Sequence, residues 1–209
     1  MIAGGSFRYR TPVELSVNPT RDGRVLVIGS CFAAGISHWS HVTMPETGYD
    51  YIQFNMASEL PPEPPQPLSD YKFTLVLLPL RAVLPERLMW DISLDDELSG
   101  EKVFQEACDR LFALLDGALG YNAATGALTI VGNFMVPQQN IYGRTLPRYD
   151  LRNPAYLVER LNQFLEQECR SRKNVFMLDA DGISANIGRR FVQDDVLQLT
   201  NHGAFLSDW

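Results

Sequence analysis

The segment from Arg24 to Trp39 constrains the fold more than any other part of the chain. Arg24 to Ser30 (RVLVIGS) is a short apolar run rich in β-branched residues and interrupted by Gly29, which is typical of a buried strand. Cys31 to Trp39 follows directly with small and apolar residues and no proline, which predicts a helix that begins right after the turn. A strand that passes straight into a helix predicts an α/β fold.

Strand-like and helix-like segments alternate along the rest of the chain. Further strands are predicted at 49–54 (YDYIQF), 71–80 (YKFTLVLLPL), 128–136 (LTIVGNFMV) and 174–178 (NVFML), and the strand at 128–136 is expected to break at Gly132-Asn133. Helices are predicted at 99–119, after the cap formed by Asn153 and Pro154, and between 179 and 190. This order implies a mainly parallel sheet in a three-layer α/β/α sandwich of the flavodoxin-like type.

Two glycines and a proline-rich segment mark the predicted boundaries. The helix at 99–119 is expected to start at Ser99 or Gly100 and to stop at Gly120. Its apolar residues recur at spacings of three and four, and they include Val103, Ala107, Leu111 and Leu115. Five prolines between 59 and 70 predict a stiff extended loop, because proline fits neither a helix interior nor a central strand.

Composition favours one globular domain over residues 1–209, either alone or within a longer chain. The chain is 45% hydrophobic and 21% charged, and its formal net charge of -7 disfavours a nucleic-acid partner. No segment has the 18 or more consecutive apolar residues of a membrane span, and the first ten residues do not resemble a signal peptide. We therefore expect a cytoplasmic protein without a membrane partner, and the sequence leaves its oligomeric state open.

The cysteines and histidines favour neither a disulfide framework nor a metal site. Cys31, Cys108 and Cys169 are an odd set without CxxC spacing, and His38 and His41 lack a third ligand at a defined spacing. The turn GSCFAAG also lacks the glycine spacing of a dinucleotide site, so no cofactor is expected. Cys108 and Cys169 fall on or near apolar helix faces and are interpreted as core thiols.

Cys31 has the position of a nucleophile. At the start of a helix, backbone N–H groups and the helix dipole stabilise a thiolate. The same N–H groups can stabilise a developing oxyanion, so one turn would supply both the nucleophile and part of the oxyanion hole. The alternative interpretation is a small buried cysteine.

The segment VLVIGSCFAAGI resembles the opening block of the SGNH or GDSL-type hydrolases, in the variant that carries a Gly-Ser-Cys-Phe-Ala motif. The resemblance covers most of the chain but is specific only around residues 25–36. It implies the three-layer sandwich and places Cys31, rather than Ser30, at the position of the nucleophilic serine. Ser30 and Phe32 would then border the substrate.

The same resemblance implies the remaining catalytic roles. His202 matches the catalytic histidine that comes last in the chain, and Asn133 matches the amide that helps to hold the oxyanion. Arg81, at the end of an earlier strand, is the alternative for that place. The Asp-x-x-His signature is absent because Leu199 occupies its acid position. Asp194, Asp195 or Asp208 would orient His202, or else the site would act as a Cys-His dyad.

A polar loop after the fourth predicted strand is suited to substrate recognition. It contains Gln138, Gln139, Arg144 and Arg148, which can bind a hydroxyl-rich or anionic group. Exposed loop residues are the simpler interpretation, and the pair Arg189-Arg190 allows the same two interpretations. We expect an esterase or acyltransferase that acts on an O-acyl group of a carbohydrate or related small molecule. The alternatives are a non-catalytic binding module of a larger protein and a nucleotide-binding domain, which no motif supports.

Overall fold

Five parallel strands form one sheet in the order β2-β1-β3-β4-β5. The computed structural model describes residues 23–55, 59–140 and 142–195, without the side chains of Phe32, Trp39, His41 and Thr43. The strands are β1 (Arg24–Gly29), β2 (Gly48–Gln53), β3 (Tyr71–Leu77), β4 (Thr129–Gly132) and β5 (Val175–Leu178). This sheet confirms the predicted α/β class.

Helices connect the strands and cover both faces of the sheet. They are α1 (Cys31–Thr43), α2 (Leu80–Val83), α3 (Glu86–Trp90), α4 (Glu97–Ala118), α5 (Gly120–Thr125), α6 (Pro154–Arg170), α7 (Ala180–Ile187) and α8 (Arg189–Val192), with a 3-10 turn at Leu68–Asp70. Helix α1 packs on β1 and β2, and α4 and α6 pack against each other on the opposite face. None of the helices within the described residues is both long and apolar enough to cross a membrane.

The side chains of β1 divide between two cores. Leu26 and Ile28 are fully buried in the large core beneath α4 and α6. Val25 and Val27 point to the other face and pack with Ala33 of α1. Successive residues of a strand face opposite sides, so a strand covered on both sides must be apolar throughout. This explains the uninterrupted apolar run that predicted β1.

Helix α4 begins two residues earlier than predicted and ends at Ala118, one residue before the predicted end. The carboxylate of Asp96 caps the helix by accepting a hydrogen bond of 2.9 Å from the Leu98 N–H. Gly120 instead begins α5, which ends at Gly126 with a left-handed backbone (φ 71°). That conformation favours glycine, and it ends the helical segment.

Strand β3 is shorter than its apolar run predicted, whereas β4 ends at the predicted break. β3 ends at Leu77 because Pro79 cannot donate to a ladder and instead precedes α2. β4 ends at Gly132, directly before Asn133. The predicted cap of α6 is confirmed, because the Asn153 side chain accepts a hydrogen bond of 3.1 Å from the Ala155 N–H.

Candidate active site

The parallel register brings the loops that follow the strands to one edge of the sheet. Gly29, the last residue of β1, pairs with Gln53 of β2 and with Leu77 of β3. Gly132 of β4 pairs with Leu178 of β5 in the same way. Loops at the carboxyl ends of parallel strands are where ligands bind in folds of this class. We call this the carboxyl edge.

The turn from β1 into α1 requires small residues at two positions. A Cβ atom added at Gly29 would overlap the Leu77 carbonyl oxygen and lie 2.8 Å from the Ala33 Cβ. Helix α1 therefore approaches the end of β1 so closely that a side chain at position 29 has no space. The Gly and Ala of the GSCFA segment are explained by packing, before any chemistry is considered.

Cys31 is the first residue of α1 and is exposed, whereas Cys108 and Cys169 are buried. The preceding Ser30 has an extended backbone, and its side chain makes no capping hydrogen bond. Burial raises the pKa of the Cys108 and Cys169 thiols to about 11 each, which keeps both protonated at neutral pH. Of the three cysteines, Cys31 alone has the access that a nucleophile needs.

Tyr51 of β2 reaches the turn that carries Cys31. Its hydroxyl lies 3.1 Å from the Gly29 carbonyl oxygen and 2.9 Å from that of Ser30. Burial raises the pKa of the Tyr51 hydroxyl, and a thiolate at the nearby Cys31 raises it further. Tyr51 was not among the residues predicted for the site. The alternation of Tyr49 and Tyr51 indicates one face of a strand, but no sequence signal shows that β2 lies beside β1.

Asn133 lies at the carboxyl edge, and its amide is used to join β4 to the start of α7. Its Nδ2 donates to Asp179 Oδ1 (2.9 Å), and its Oδ1 accepts from the Asp181 N–H (2.9 Å). β4 is two strands away from β1, which corresponds to about 10 Å at the usual strand spacing. Asn133 therefore holds the edge together, with one amide hydrogen left for another acceptor.

Asp195 holds the loop that contains the predicted substrate residues. Its Oδ2 accepts hydrogen bonds from the backbone N–H groups of Gln138 and Gln139, each 2.8 Å long. Its Oδ1 accepts from the Gln193 side chain (2.9 Å). Burial raises the pKa of the Asp195 carboxyl group, although these three donors act in the opposite direction. Gln138 and Gln139 are thus placed by their backbones, and the side chain of Gln139 is exposed.

Two further contacts complete the loop. Asp181 Oδ1 accepts from the Val136 N–H (2.8 Å), while Asp181 Oδ2 pairs with the Arg189 guanidinium (2.6 Å). The Asn162 side chain of α6 exchanges two hydrogen bonds with the backbone of Phe134, of 2.9 and 2.8 Å. Arg189, which the sequence offered as a substrate ligand, instead stabilises this loop.

Two of the other predicted arginines are exposed, and the third makes a long ion pair. Arg81 follows β3 and is 3.9 Å from the carboxylate of Glu86. Arg144 is exposed, and the exposed Arg148 is 3.4 Å from Glu159. Neither ion pair is short and buried, so Arg81 and Arg148 can exchange their partners for a ligand at modest cost.

Several residues predicted for the site lie outside the described part of the chain. His202 and Asp208 lie outside the described residues, and so does the side chain of Phe32; Asp194 is partly buried. Within 23–55, 59–140 and 142–195, no group of three His, Cys, Asp or Glu residues is placed to hold a metal ion.

A cavity of about 420 Å³ lies between the segment after β2, which includes Phe54, and residues 110–117 of α4.

Known proteins resemble this chain in fold but not in sequence. The chain matches no protein-family model and no curated protein. Among solved structures it is similar to the N-terminal part of a Bacteroides fragilis protein containing a phosphatase domain complexed with Mg (TM-score 0.52, 16% identity). That match covers 89% of this chain and 47% of the other, so this chain spans about half of that structure's length.

A second similar structure is a lipase from a goat rumen metagenome. Its TM-score is 0.50 at 10% identity, and the match covers 85% of this chain and 89% of the lipase. At such identities the two structures establish a shared α/β fold, of a kind that a hydrolase also uses. They do not carry residue roles to this chain.

Proposed function

We propose that the chain is an SGNH-like esterase or acyltransferase of the GSCFA type that acts on an O-acyl group with Cys31 as nucleophile. The observation that supports this most is the exposed thiol of Cys31 at the first position of α1, directly after β1. Strand, turn and helix together put a thiol at the carboxyl edge, beside backbone N–H groups that can stabilise negative charge.

The proposed reaction has two steps. The Cys31 thiolate attacks the acyl carbonyl carbon, so that a C–S bond forms and the carbonyl electrons move to an oxyanion. The oxyanion collapses, the ester C–O bond breaks, and the alcohol leaves with a proton from protonated His202. Water or an acceptor hydroxyl then gives its proton to His202 and attacks the thioester, and the C–S bond breaks to release Cys31.

The position of Asp195 is compatible with His202 as the base. Asp195 is fixed against the loop of Gln138 and Gln139 at the carboxyl edge. His202 follows seven residues later, and seven residues of extended chain span at most about 23 Å. For comparison, β4, which precedes this loop, and β1, which precedes Cys31, are about 10 Å apart at the usual strand spacing. The Asp195 carboxylate or the neighbouring Asp194 would orient the imidazole.

Substrate recognition is assigned to the same edge. The amides of the β1–α1 turn and the remaining amide hydrogen of Asn133 would stabilise the oxyanion, with Arg81 as the alternative donor. Ser30 and Phe32 would border the acyl group, and Gln138, Gln139, Arg144 and Arg148 would bind a carbohydrate-like alcohol. No cofactor takes part in this scheme.

The test is hydrolysis of p-nitrophenyl acetate and of a peracetylated sugar, combined with mass spectrometry of the trapped acyl-enzyme. Cys31→Ala should abolish turnover and the acyl adduct. Cys31→Ser should retain a small fraction of the activity, because a hydroxyl needs a better-oriented base than a thiol. His202→Ala should also abolish turnover. Cys108→Ala is the control, since that thiol is buried.

Two results would contradict the assignment. Full activity of Cys31→Ala, with activity lost in Ser30→Ala, would shift the nucleophile by one residue. If the wild-type chain neither acylates nor hydrolyses either ester, the enzyme proposal fails.

A non-catalytic binding module is the second candidate function. It is favoured by Leu199 at the position where the related hydrolases carry the acid, and by the Asp195 carboxylate being engaged with loop amides. A module of this kind would bind an acylated sugar without acyl transfer. Calorimetric titration with that sugar would show binding that persists in Cys31→Ala.

A further inference from the structure

Two carbonyl groups in the β1–α1 turn determine how Cys31 is presented. The Gly29 carbonyl accepts a hydrogen bond of 2.8 Å from the Phe54 N–H, next to the end of β2. The Ser30 carbonyl accepts one of 2.9 Å from the Ala33 N–H, which closes the first turn of α1. The peptide planes that contain these carbonyls also set the direction in which Cys31 leaves the turn.

The helix start lacks the support that a capping side chain normally provides. Ser30 occupies the N-cap position, yet its side chain makes no capping hydrogen bond. A contact of a different kind fixes the turn: the Tyr51 hydroxyl of the neighbouring strand donates to the carbonyl oxygens of Gly29 and Ser30, at 3.1 and 2.9 Å. A hydroxyl has one proton, so it is shared between the two acceptors.

Tyr51 is itself held firmly. It pairs in register with Val27 of β1, and its ring packs with Val25, Val27 and Ala33. Burial favours the protonated hydroxyl, which therefore remains a donor at neutral pH. Both ends of the contact are fixed, since the ring belongs to a packed cluster and the carbonyls belong to the turn.

We propose that Tyr51 is the positioning residue of the Cys31 nucleophile, acting through the carbonyl groups of Gly29 and Ser30. The catalytic role of Tyr51 rests on the proposed function, whereas its hydrogen bonds to the turn do not. The hydroxyl locks the two peptide planes and offsets the negative ends of their dipoles beside the thiolate. Without it, the turn loosens and the carbonyl oxygens disfavour a negative charge on sulfur.

The chain contains a matched control for this proposal. Tyr49 lies two residues earlier on the same face of β2 and packs against the same cluster as Tyr51. Its hydroxyl points to the sulfur of Met44 at 3.8 Å, away from the turn carbonyls. Tyr49→Phe and Tyr51→Phe therefore remove the same atom from the same strand, and only the second removes a donor to the turn.

The experiment measures the rate at which iodoacetamide alkylates Cys31 between pH 6 and pH 9, followed by peptide mass spectrometry. Tyr51→Phe should slow the reaction at pH 7 by about three- to tenfold, the value of one hydrogen bond, and move the midpoint of the rate to higher pH. Tyr49→Phe should leave rate and midpoint unchanged. A Tyr51→Phe profile that coincides with wild type, or an equal change in both variants, overturns the proposal.

A second readout separates local from global effects. Amide hydrogen exchange in Tyr51→Phe should quicken at residues 31–34 and stay unchanged at 36–40 of the same helix. Uniform acceleration along α1 would mean that Tyr51 only stabilises the fold, which contradicts a positioning role.

Ester turnover distinguishes the two proposals. If the wild-type chain is active, Tyr51→Phe should lower kcat by a similar factor and leave KM nearly unchanged. If the wild-type chain has no ester activity while Tyr51→Phe still changes the alkylation profile, the proposed function fails and the positioning role stands.

Discussion

The core beneath α4 and α6 encloses Cys108 and Cys169, whereas the carboxyl edge presents Cys31 to solvent. In the core, apolar side chains from several elements exclude water, and burial sets the properties of both thiols. At the edge, backbone groups and single polar side chains such as Asp195 fix the geometry. The same residue type is thus kept inert by packing in one region and made accessible by a hydrogen-bonded turn in the other.

The difference between the two regions is largest for thiol reactivity. Under native conditions, iodoacetamide should label Cys31 at least about a thousandfold faster than Cys108 or Cys169, because the buried thiols react only after local or global opening. Peptide mapping after timed alkylation measures the three rates. Labelling of Cys108 or Cys169 at a rate near that of Cys31 would show that the core is open.

The core should respond strongly to the loss of a single side chain. Leu111 is fully buried, and Leu111→Ala is expected to lower the free energy of unfolding by about 3 kcal/mol. Its neighbour Phe112 is 47% exposed, and Phe112→Ala should cost less than about 1 kcal/mol. Urea denaturation of both variants tests the contrast, and equal losses would contradict the assignment of the buried face of α4.

Alkaline pH should weaken the core through its thiols. Burial raises the pKa of the Cys169 thiol from its ordinary value of 9 to about 11, so between these pH values the unfolded chain releases a proton that the folded chain keeps. Stability is therefore fully present below about pH 9 and decreases towards pH 11, by about 2 kcal/mol for this thiol.

Denaturation curves at several pH values measure this contribution. Cys169→Ala should show a shallower decrease than wild type between pH 9 and 11, whatever its stability at pH 7. Parallel pH profiles for the two proteins would show that the Cys169 thiol is not protected by burial.

Loss of the Cys31 thiol at the carboxyl edge should change the stability of the fold least. Cys31→Ala removes one exposed sulfur, so the free energy of unfolding should stay within about 0.5 kcal/mol of wild type. Thermal and urea denaturation provide the measurement. A loss above about 2 kcal/mol would mean that Cys31 serves the packing of the fold.

The core was predictable because repeated apolar spacing reports directly on burial. The spacing of Val103, Ala107, Leu111 and Leu115 predicted α4, and these residues are buried. The apolar run of β1 and the Asn153-Pro154 cap were recognised for similarly local reasons. The end of α4 near Gly120 was predicted, but the second helix that begins at Gly120 was not, and the left-handed Gly126 is the residue that ends the helical segment.

The edge was less predictable because its contacts join residues distant in the sequence. Asn133 bonds Asp179, 46 residues away, and Tyr51 bonds the Gly29 carbonyl across a strand pair that no local pattern indicates. Asn133, Gln138 and Gln139 were predicted to follow a strand, but the sequence does not show what their amides bind. Arg189 was predicted as a possible ligand, because its partner Asp181 is identified only by the fold.

The Asp195 contact has a consequence for the order in which the chain acquires structure during synthesis. Strands β1 to β3 are complete once residue 77 has been made, and α1 can dock on them from that point. The backbone N–H groups of Gln138 and Gln139 can bond the Asp195 carboxylate only after a further 57 and 56 residues, respectively, have been synthesised. On the ribosome, the frame that holds Cys31 can therefore form early, while the opposite side of the carboxyl edge is finished only when Asp195 has emerged.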